Sequence, residues 1–264
     1  MILAGGSGVQ VALTGAAALA YTGLALGAHW LDQQRARWVL LAAWFLHLVA
    51  LGWTVLGETP HFGFAPALSM TAWLVLTVYA IERELFPQLP ARWALAGLGA
   101  ATVLLPLVFP GTPLHVSASP WLPLHLALGV ASYGLFAAAA VHAWLMRRAE
   151  RSIRKATDPH TGIPLLTLER LTFRFAAAGF VVLSATLLAG AFFRESLGPW
   201  RWDHKTIFSV LAWIAFAILL AGRARFGWRG RHAVRVLYTG SLLLLLAYVG
   251  SRFVLEVVLR RPIA

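Results

Sequence analysis

Nine histidines and no cysteine bound the chemistry open to this chain. Without Cys there is no disulfide, no thiolate metal site, no thiol redox chemistry and no thioether attachment of a cofactor, so a metal must be held by His, Met, Tyr or carboxylate. The densest run of reactive types is Trp200-Arg201-Trp202-Asp203-His204-Lys205. Indole surface, cations, a carboxylate and an imidazole at such close spacing suit a large planar anionic ligand. Indoles lie against a macrocycle, imidazole takes an axial position on iron, and Arg or Lys meets acidic substituents. Trp200 and Trp202 fit equally well in the aromatic belt of a membrane interface. His47, His61 and His125 are further candidate ligands, and Arg252 and Glu256, four residues apart, read either as a helix-stabilising pair or as a contact for an acidic group. No phosphate-binding glycine loop, nucleophile elbow, paired catalytic carboxylates or metalloprotease helix is present, so no residue is assigned a catalytic role.

The elements that must position these groups are transmembrane helices. With 59% hydrophobic and 12% charged residues in 264, the chain is far from a soluble domain, where about 25% charged is usual. A hydrocarbon core of about 30 Å takes roughly 20 helical residues per crossing. Uncharged runs predict eight spans, near 8–28, 38–57, 63–82, 93–110, 121–146, 175–193, 206–222 and 234–259, in one all-α integral membrane domain covering residues 1–264. The first reads as a retained helix, since no basic residue precedes it and Ala4–Ala20 lacks a polar cleavage region. Residues 93–146 are too long for one crossing and are divided by Pro106, Pro110, Pro113, Pro120 and Pro123, which puts a turn near Pro110–Pro120. Gly15, Gly23 and Gly27 with many Ala speak for close helix packing.

The formal charge of +12 sits between the apolar runs and sets topology, leaving nucleic acid a weak alternative. With the N-terminus outside, the inner loops carry Arg35 and Arg37, Arg83 and Arg92, seven basic residues from Arg147 to Arg174 and five from Arg223 to Arg235. The outer segments then carry only Arg194, Arg201, Lys205, Arg260 and Arg261. The positive-inside rule therefore predicts both termini outside. His29, His142, His160 and His232 fall at the inner face, where they read as solvated or interfacial. His61, His115, His125 and His204 fall at the outer face, and His47 lies near mid-membrane. Leu165–Phe173, apolar and basic, is expected to lie along the inner membrane surface, where anionic lipid or a protein partner would meet it.

Several segments resemble the cytochrome c assembly proteins, the haem-handling integral membrane family of the CcsA, CcmC, HemX and YpjD type. The resemblance runs from about His47 to Tyr248. Trp200–Lys205 followed by Ile207–Trp213 is similar to the end of the family's tryptophan-rich loop. Pro164–Glu169, Arg174, Gly179-Phe180 and Gly190-Ala191 are similar to the segment before it, and Phe226–Arg231 to the basic turn after it. Trp121-Leu122-Pro123-Leu124-His125 with Ser132-Tyr133 resembles a span start whose His is an external axial ligand. His61-Phe62-Gly63-Phe64 with Ser69 and Trp73 resembles a stretch holding a further haem-associated His. There are departures: the loop holds two Trp, His204 stands where the family has Pro, Gly222 stands where the synthetases have a membrane His, and no His follows the eighth span. These features look closer to the HemX- and YpjD-like branch.

The resemblance implies a bacterial inner-membrane protein that presents or relays non-covalent b-type haem at the outer leaflet. It implies His125 and His204 as candidate iron ligands and His61 and His47 as alternatives. Trp200 and Trp202 would lie beside the macrocycle, with Arg201, Lys205, Asp203 and Arg252 near the propionates. His204 is either axial or only hydrogen-bonded to a propionate or Asp203. The expected partners are haem, another membrane protein of cytochrome maturation and the bilayer. An accessory part in haem attachment is implied rather than enzymatic chemistry of its own. Two other readings stay open: a non-catalytic regulatory or assembly factor, and a small transporter with His47, Arg252 and Glu256 along a polar pathway.

Overall fold

The computed structural model describes residues 8–27, 30–57, 60–85, 92–113, 121–154, 164–192 and 202–259. Among them the chain forms α1 (Gly8–Leu26), α2 (Gln33–Leu56), α3 (Phe64–Leu85), α4 (Arg92–Val108), α5 (Leu122–Arg154), α6 (Leu165–Phe192), α7 (His204–Phe226) and α8 (Gly230–Leu245). Two short strands, β1 (His61–Phe62) and β2 (Thr112–Pro113), complete it. The α8 helix runs on through a π-helical turn at Leu246–Gly250, a short α segment at Ser251–Phe253 and a second π-helical turn at Val254–Val258. Seven of these helices are long and apolar enough to cross a membrane; the eighth expected span is the shorter α4, apolar over Ala94–Val108. The fold is an all-α polytopic bundle, as the periodic absence of charge predicts.

Helix ends follow local chemistry. Asp32 caps α2, accepting from the Arg35 amide at 2.7 Å, and Asp203 caps α7, accepting from the Thr206 amide at 3.0 Å. Gly227 ends α7 in the left-handed conformation, φ 64°, with its N–H bonded to the Gly222 carbonyl. Two helices run beyond the expected spans. α5 continues past Met146 to Arg154 because Arg147–Arg154 contains good helix formers and no Gly or Pro. Leu165–Phe173 is not a separate surface stretch: it forms the first turns of α6, and α6 packs along α5. At 1.5 Å per residue the 33 residues of α5 and 28 of α6 reach roughly 50 and 42 Å, well beyond the hydrocarbon thickness.

The chain divides into two compact units. Unit 1 comprises residues 1–84, 89–115 and 252–264, and unit 2 comprises residues 85–88 and 116–251. In unit 1, α1 packs on α2 and α4 around the fully buried Tyr21, Leu24 and Ala43. Trp44 and Trp73 stack at 5.0 Å, and each indole N–H is satisfied, Trp44 by Thr77 Oγ1 and Trp73 by the Trp44 carbonyl. β1 and β2 pair antiparallel, His61 opposite Pro113 and Phe62 opposite Thr112. Gly111 makes that turn possible: its φ is +86°, and a Cβ would lie 2.7 Å from the Phe62 carbonyl.

The centre of unit 2 is a pair of stacked rings, Phe136 of α5 and Phe216 of α7, with centroids 3.6 Å apart and planes within 6°. Gly179 of α6 abuts the Phe136 ring, and Gly240 of α8 abuts that of Phe216. A Cβ at Gly240 would stand 2.8 Å from the ring, so the missing side chain lets α8 approach α7. Trp213 of α7 donates to Ser184 Oγ of α6 at 2.8 Å, and the Tyr133 hydroxyl of α5 donates to the Leu244 carbonyl of α8. These two side chains cross between helices to a partner on the next, as lipid surroundings favour.

Candidate functional site

One end of unit 2 is formed by the N-termini of α5 and α7 and the C-terminal part of α6. His125, in the first turn of α5, is half-buried, and its ring lies beside the Thr186 backbone carbonyl of α6. Its Nδ1 is buried and has no hydrogen-bond partner. An imidazole held beside a backbone carbonyl with a ring nitrogen left unpartnered has surroundings that suit a metal-ligating histidine.

His204 occupies the first position of α7 and is exposed, next to the capping Asp203. Burial works against the Asp203 charge, but the Thr206 amide and hydroxyl, Lys205 and His204 outweigh it and hold the carboxyl below its ordinary value. Asp203 is therefore an ionised helix cap. Trp202 is 69% exposed. Trp200 and Arg201 lie outside the described residues, as do His29, His115 and His160. The part of the tryptophan-rich run that is described thus presents an exposed indole, an exposed imidazole and a carboxylate bound to the backbone.

Unit 1 holds His47, His61 and Arg252. His47 is fully buried in α2; its Nε2 lies 2.9 Å from Ser69 Oγ of α3, and the Tyr21 ring of α1 meets it edge-on at 5.7 Å. His47 Nδ1 and the Tyr21 hydroxyl have no hydrogen-bond partner. His61 sits on β1, partly covered. Arg252 and Glu256 do form an i,i+4 pair, but a long one, Nη1 to Oε1 3.9 Å, with side chains only 16% and 12% exposed. The Glu256 carboxylate has a second role: it accepts from the Phe64 backbone N–H, at the N-terminus of α3. Gly63 permits this, since a Cβ there would lie 2.8 Å from Glu256 Oε1 and 2.7 Å from the Gly111 Cα. Phe253 packs edge-on against Phe64 at 5.3 Å, locking the same junction.

Among the described residues no three His, Asp or Glu side chains converge on one point. The inner-face reading also needs a correction. His142 is neither solvated nor interfacial: it is 3% exposed, bonded through Nδ1 to the Ala138 carbonyl and stacked on Phe175 at 5.2 Å. His232 is exposed and edge-on to Trp228. Sequence reasoning did not single out Thr186, Tyr21 or the place of Glu256 at the start of α3, and it named Ser69 without its contact to His47. No local signal marks a backbone carbonyl as an imidazole's partner or a carboxylate as the cap of a helix nearly two hundred residues away. Glu169 of α6 likewise proves central, pairing with Arg223 at 2.6 Å and Arg229 at 3.4 Å.

Comparison with known proteins gives this geometry a context. The inner membrane protein YpjD of Escherichia coli is 29% identical over 194 residues, 72% of this chain and 73% of its own. An uncharacterised 28.8 kDa protein of Azospirillum brasilense is 34% identical over 234 residues, 83% of this chain and 82% of its own. The cytochrome c biogenesis protein CcsA of Prochlorococcus marinus is 25% identical over 232 residues, 76% and 75% of the two chains. No solved structure matches. Seven apolar helices and an inner-membrane relative make the chain a multi-pass protein of the bacterial inner membrane. The family model described as cytochrome C assembly protein matches residues 36–259, and the chain belongs to that family.

Proposed function

We propose that this protein serves cytochrome c biogenesis by holding haem non-covalently at the outer leaflet, with His125 as an iron ligand. The observation that carries the reading is the His125 ring, which lies beside the Thr186 carbonyl and whose buried Nδ1 is left without a partner. Residues at the same end of unit 2 fit the group: an exposed indole at Trp202, an exposed imidazole at His204, and Lys205 next to it in the chain. A bound haem supplies iron with open axial positions, for which imidazole nitrogen is a suitable ligand. The chain's own work is to orient the His125 ring through the Thr186 carbonyl and to offer aromatic and cationic surface at the head of α7. Membership of the cytochrome c assembly family and similarity to CcsA support this reading.

The proposal includes the orientation predicted by the basic loops, both termini outside. Single cysteines introduced into this Cys-free chain test it: in intact cells a Cys at Ser196 should react with an impermeant thiol reagent and one at Thr157 should not. The opposite pattern overturns the orientation. His204 is proposed as the second ligand and is tested separately. Proline is favoured at the first position of a helix, and Asp203 still caps α7, so His204→Pro removes the imidazole without breaking the element. With added haem, His204→Pro should lose the low-spin bis-imidazole spectrum of the parent. If the low-spin form persists, His204 is not axial and His61 or His47 becomes the candidate.

A further inference from the structure

The centre of unit 1 holds polar groups that a haem bound at His125 leaves unused. His47 lies roughly 21 Å from the start of α2 at 1.5 Å per residue, well inside that 24-residue helix, so neither helix end brings solvent to it. His47, Tyr21 of α1 and Ser69 of α3 are all fully buried. One nitrogen of the imidazole is used: Nε2 lies 2.9 Å from Ser69 Oγ. The other, Nδ1, has no hydrogen-bond partner in the protein, and neither has the Tyr21 hydroxyl. The two rings meet edge-on, with centres 5.7 Å apart and planes at 83°. Gly99 of α4 closes the fourth side, since a Cβ there would stand 3.0 Å from Tyr21 Cζ, the carbon that carries the hydroxyl. Four helices thus converge on a pair of touching rings, each with one hydrogen-bonding atom that no protein group meets.

Within a bilayer such an atom has no bulk water to turn to, and each one left unmet works against the fold. Two of them at one ring contact point to a bound polar species. Its chemistry follows from the groups present. Among the described residues no three His, Asp or Glu converge, too few ligands for a metal ion. No Lys or Arg stands among the buried polar side chains described, so nothing would balance an anion. The ligand must be small and neutral. Ser69 Oγ can donate to Nε2 or accept from it, so Nδ1 is either an N–H or a lone pair, and the Tyr21 hydroxyl likewise donates or accepts. Water serves either combination, because it does both.

We propose that unit 1 binds an internal water at the His47–Tyr21 contact, bridging His47 Nδ1 and the Tyr21 hydroxyl. The experiment uses full-length protein in detergent with no added haem. Brief X-ray exposure splits water into hydroxyl radicals where it stands, and mass spectrometry locates the side chains oxidised. Tyr21 and His47 should be oxidised far faster than Phe136 and Phe216, rings as deeply buried and of similar reactivity toward the radical. Protection of Tyr21 and His47 to the level of those two phenylalanines overturns the proposal. Thermal melting supplies a second measurement. Tyr21→Phe should lower the melting temperature, because it takes a partner from the water. A rise would mean that the hydroxyl was an unmet buried group whose removal relieves the fold, and would contradict the proposal. His47→Gln keeps a polar group near the Nε2 position and has none at Nδ1, so in that background the loss caused by Tyr21→Phe should shrink. An equal loss in both backgrounds would mean that the hydroxyl and Nδ1 share no ligand, which overturns the bridge. Both measurements omit haem, so neither bears on the reading at His125.

Discussion

His61, Arg252 and Glu256 in unit 1 and His125, Trp202 and His204 in unit 2 belong to two clusters of similar composition with opposite fates. In unit 1 the polar groups lie within a packed junction: Glu256 sits at the N-terminus of α3 and faces Arg252, β1 pairs with β2, and Gly63 and Gly111 meet backbone to backbone. In unit 2 one carboxylate, Asp203, is consumed as a cap, while His204 and Trp202 stay exposed and His125 keeps an unclaimed nitrogen. A cluster whose members satisfy one another is a joint in the structure. One whose members are held in place yet left with open valence is suited to a ligand. By the same measure Arg252 and Glu256 are better explained as a joint than as steps of a transport path.

The contrast predicts that unit 1 substitutions act on stability and unit 2 substitutions on haem. Glu256→Ala should have the largest effect. It removes the carboxylate that faces Arg252 and the start of α3, at a cost of about 3 kcal/mol, read as a lower melting temperature in detergent, while haem bound per folded molecule stays unchanged. Glu256→Gln, which keeps an acceptor, should recover part of the loss. Gly63→Ala follows at about 1–3 kcal/mol, because its Cβ has no room against Gly111 and the carboxylate.

In unit 2, Asp203→Ala should cost about 1 kcal/mol through loss of the α7 cap. Because the folded carboxyl titrates lower than the unfolded one, this contribution is full above the ordinary Asp range and fades as the pH falls through the depressed value; melting curves at neutral and acid pH should show it in the parent and not in the variant. Trp202→Ala, at a position 69% exposed, should shift stability by no more than about 0.5 kcal/mol yet weaken haem binding. A melting change as large as that of Glu256→Ala would dissolve the distinction between the two clusters.

Much of the fold was legible because a bilayer imposes one simple demand, a long uncharged run, and each observed helix overlaps an expected span. The errors came where that demand stops. Arg147–Arg154 and Leu165–Arg174 carry charge yet stay helical, since α5 and α6 support each other beyond the hydrocarbon and helix propensity decides there. The shortness of α4 goes with Pro106 in its last turns and Pro110 just after it. At the site, residue type and spacing picked out His125 and the Trp202–Lys205 run. Spacing gave no sign that His142 is sealed against Phe175, that Ser69 meets His47, or that Thr186 orients His125. Each is a contact between helices, set by rotation about the helix axis, which near-uniform Ala and Leu faces do not encode.

The most direct test of the haem reading is the Soret spectrum of His125→Ala, supplemented with haem and compared with the parent and with His232→Ala, a histidine at the opposite end of unit 2. The account predicts a low-spin spectrum in the parent and in His232→Ala. His125→Ala should lose haem or turn high-spin, with free imidazole restoring the low-spin form in the cavity left by the ring. An unchanged low-spin spectrum in folded His125→Ala would contradict it.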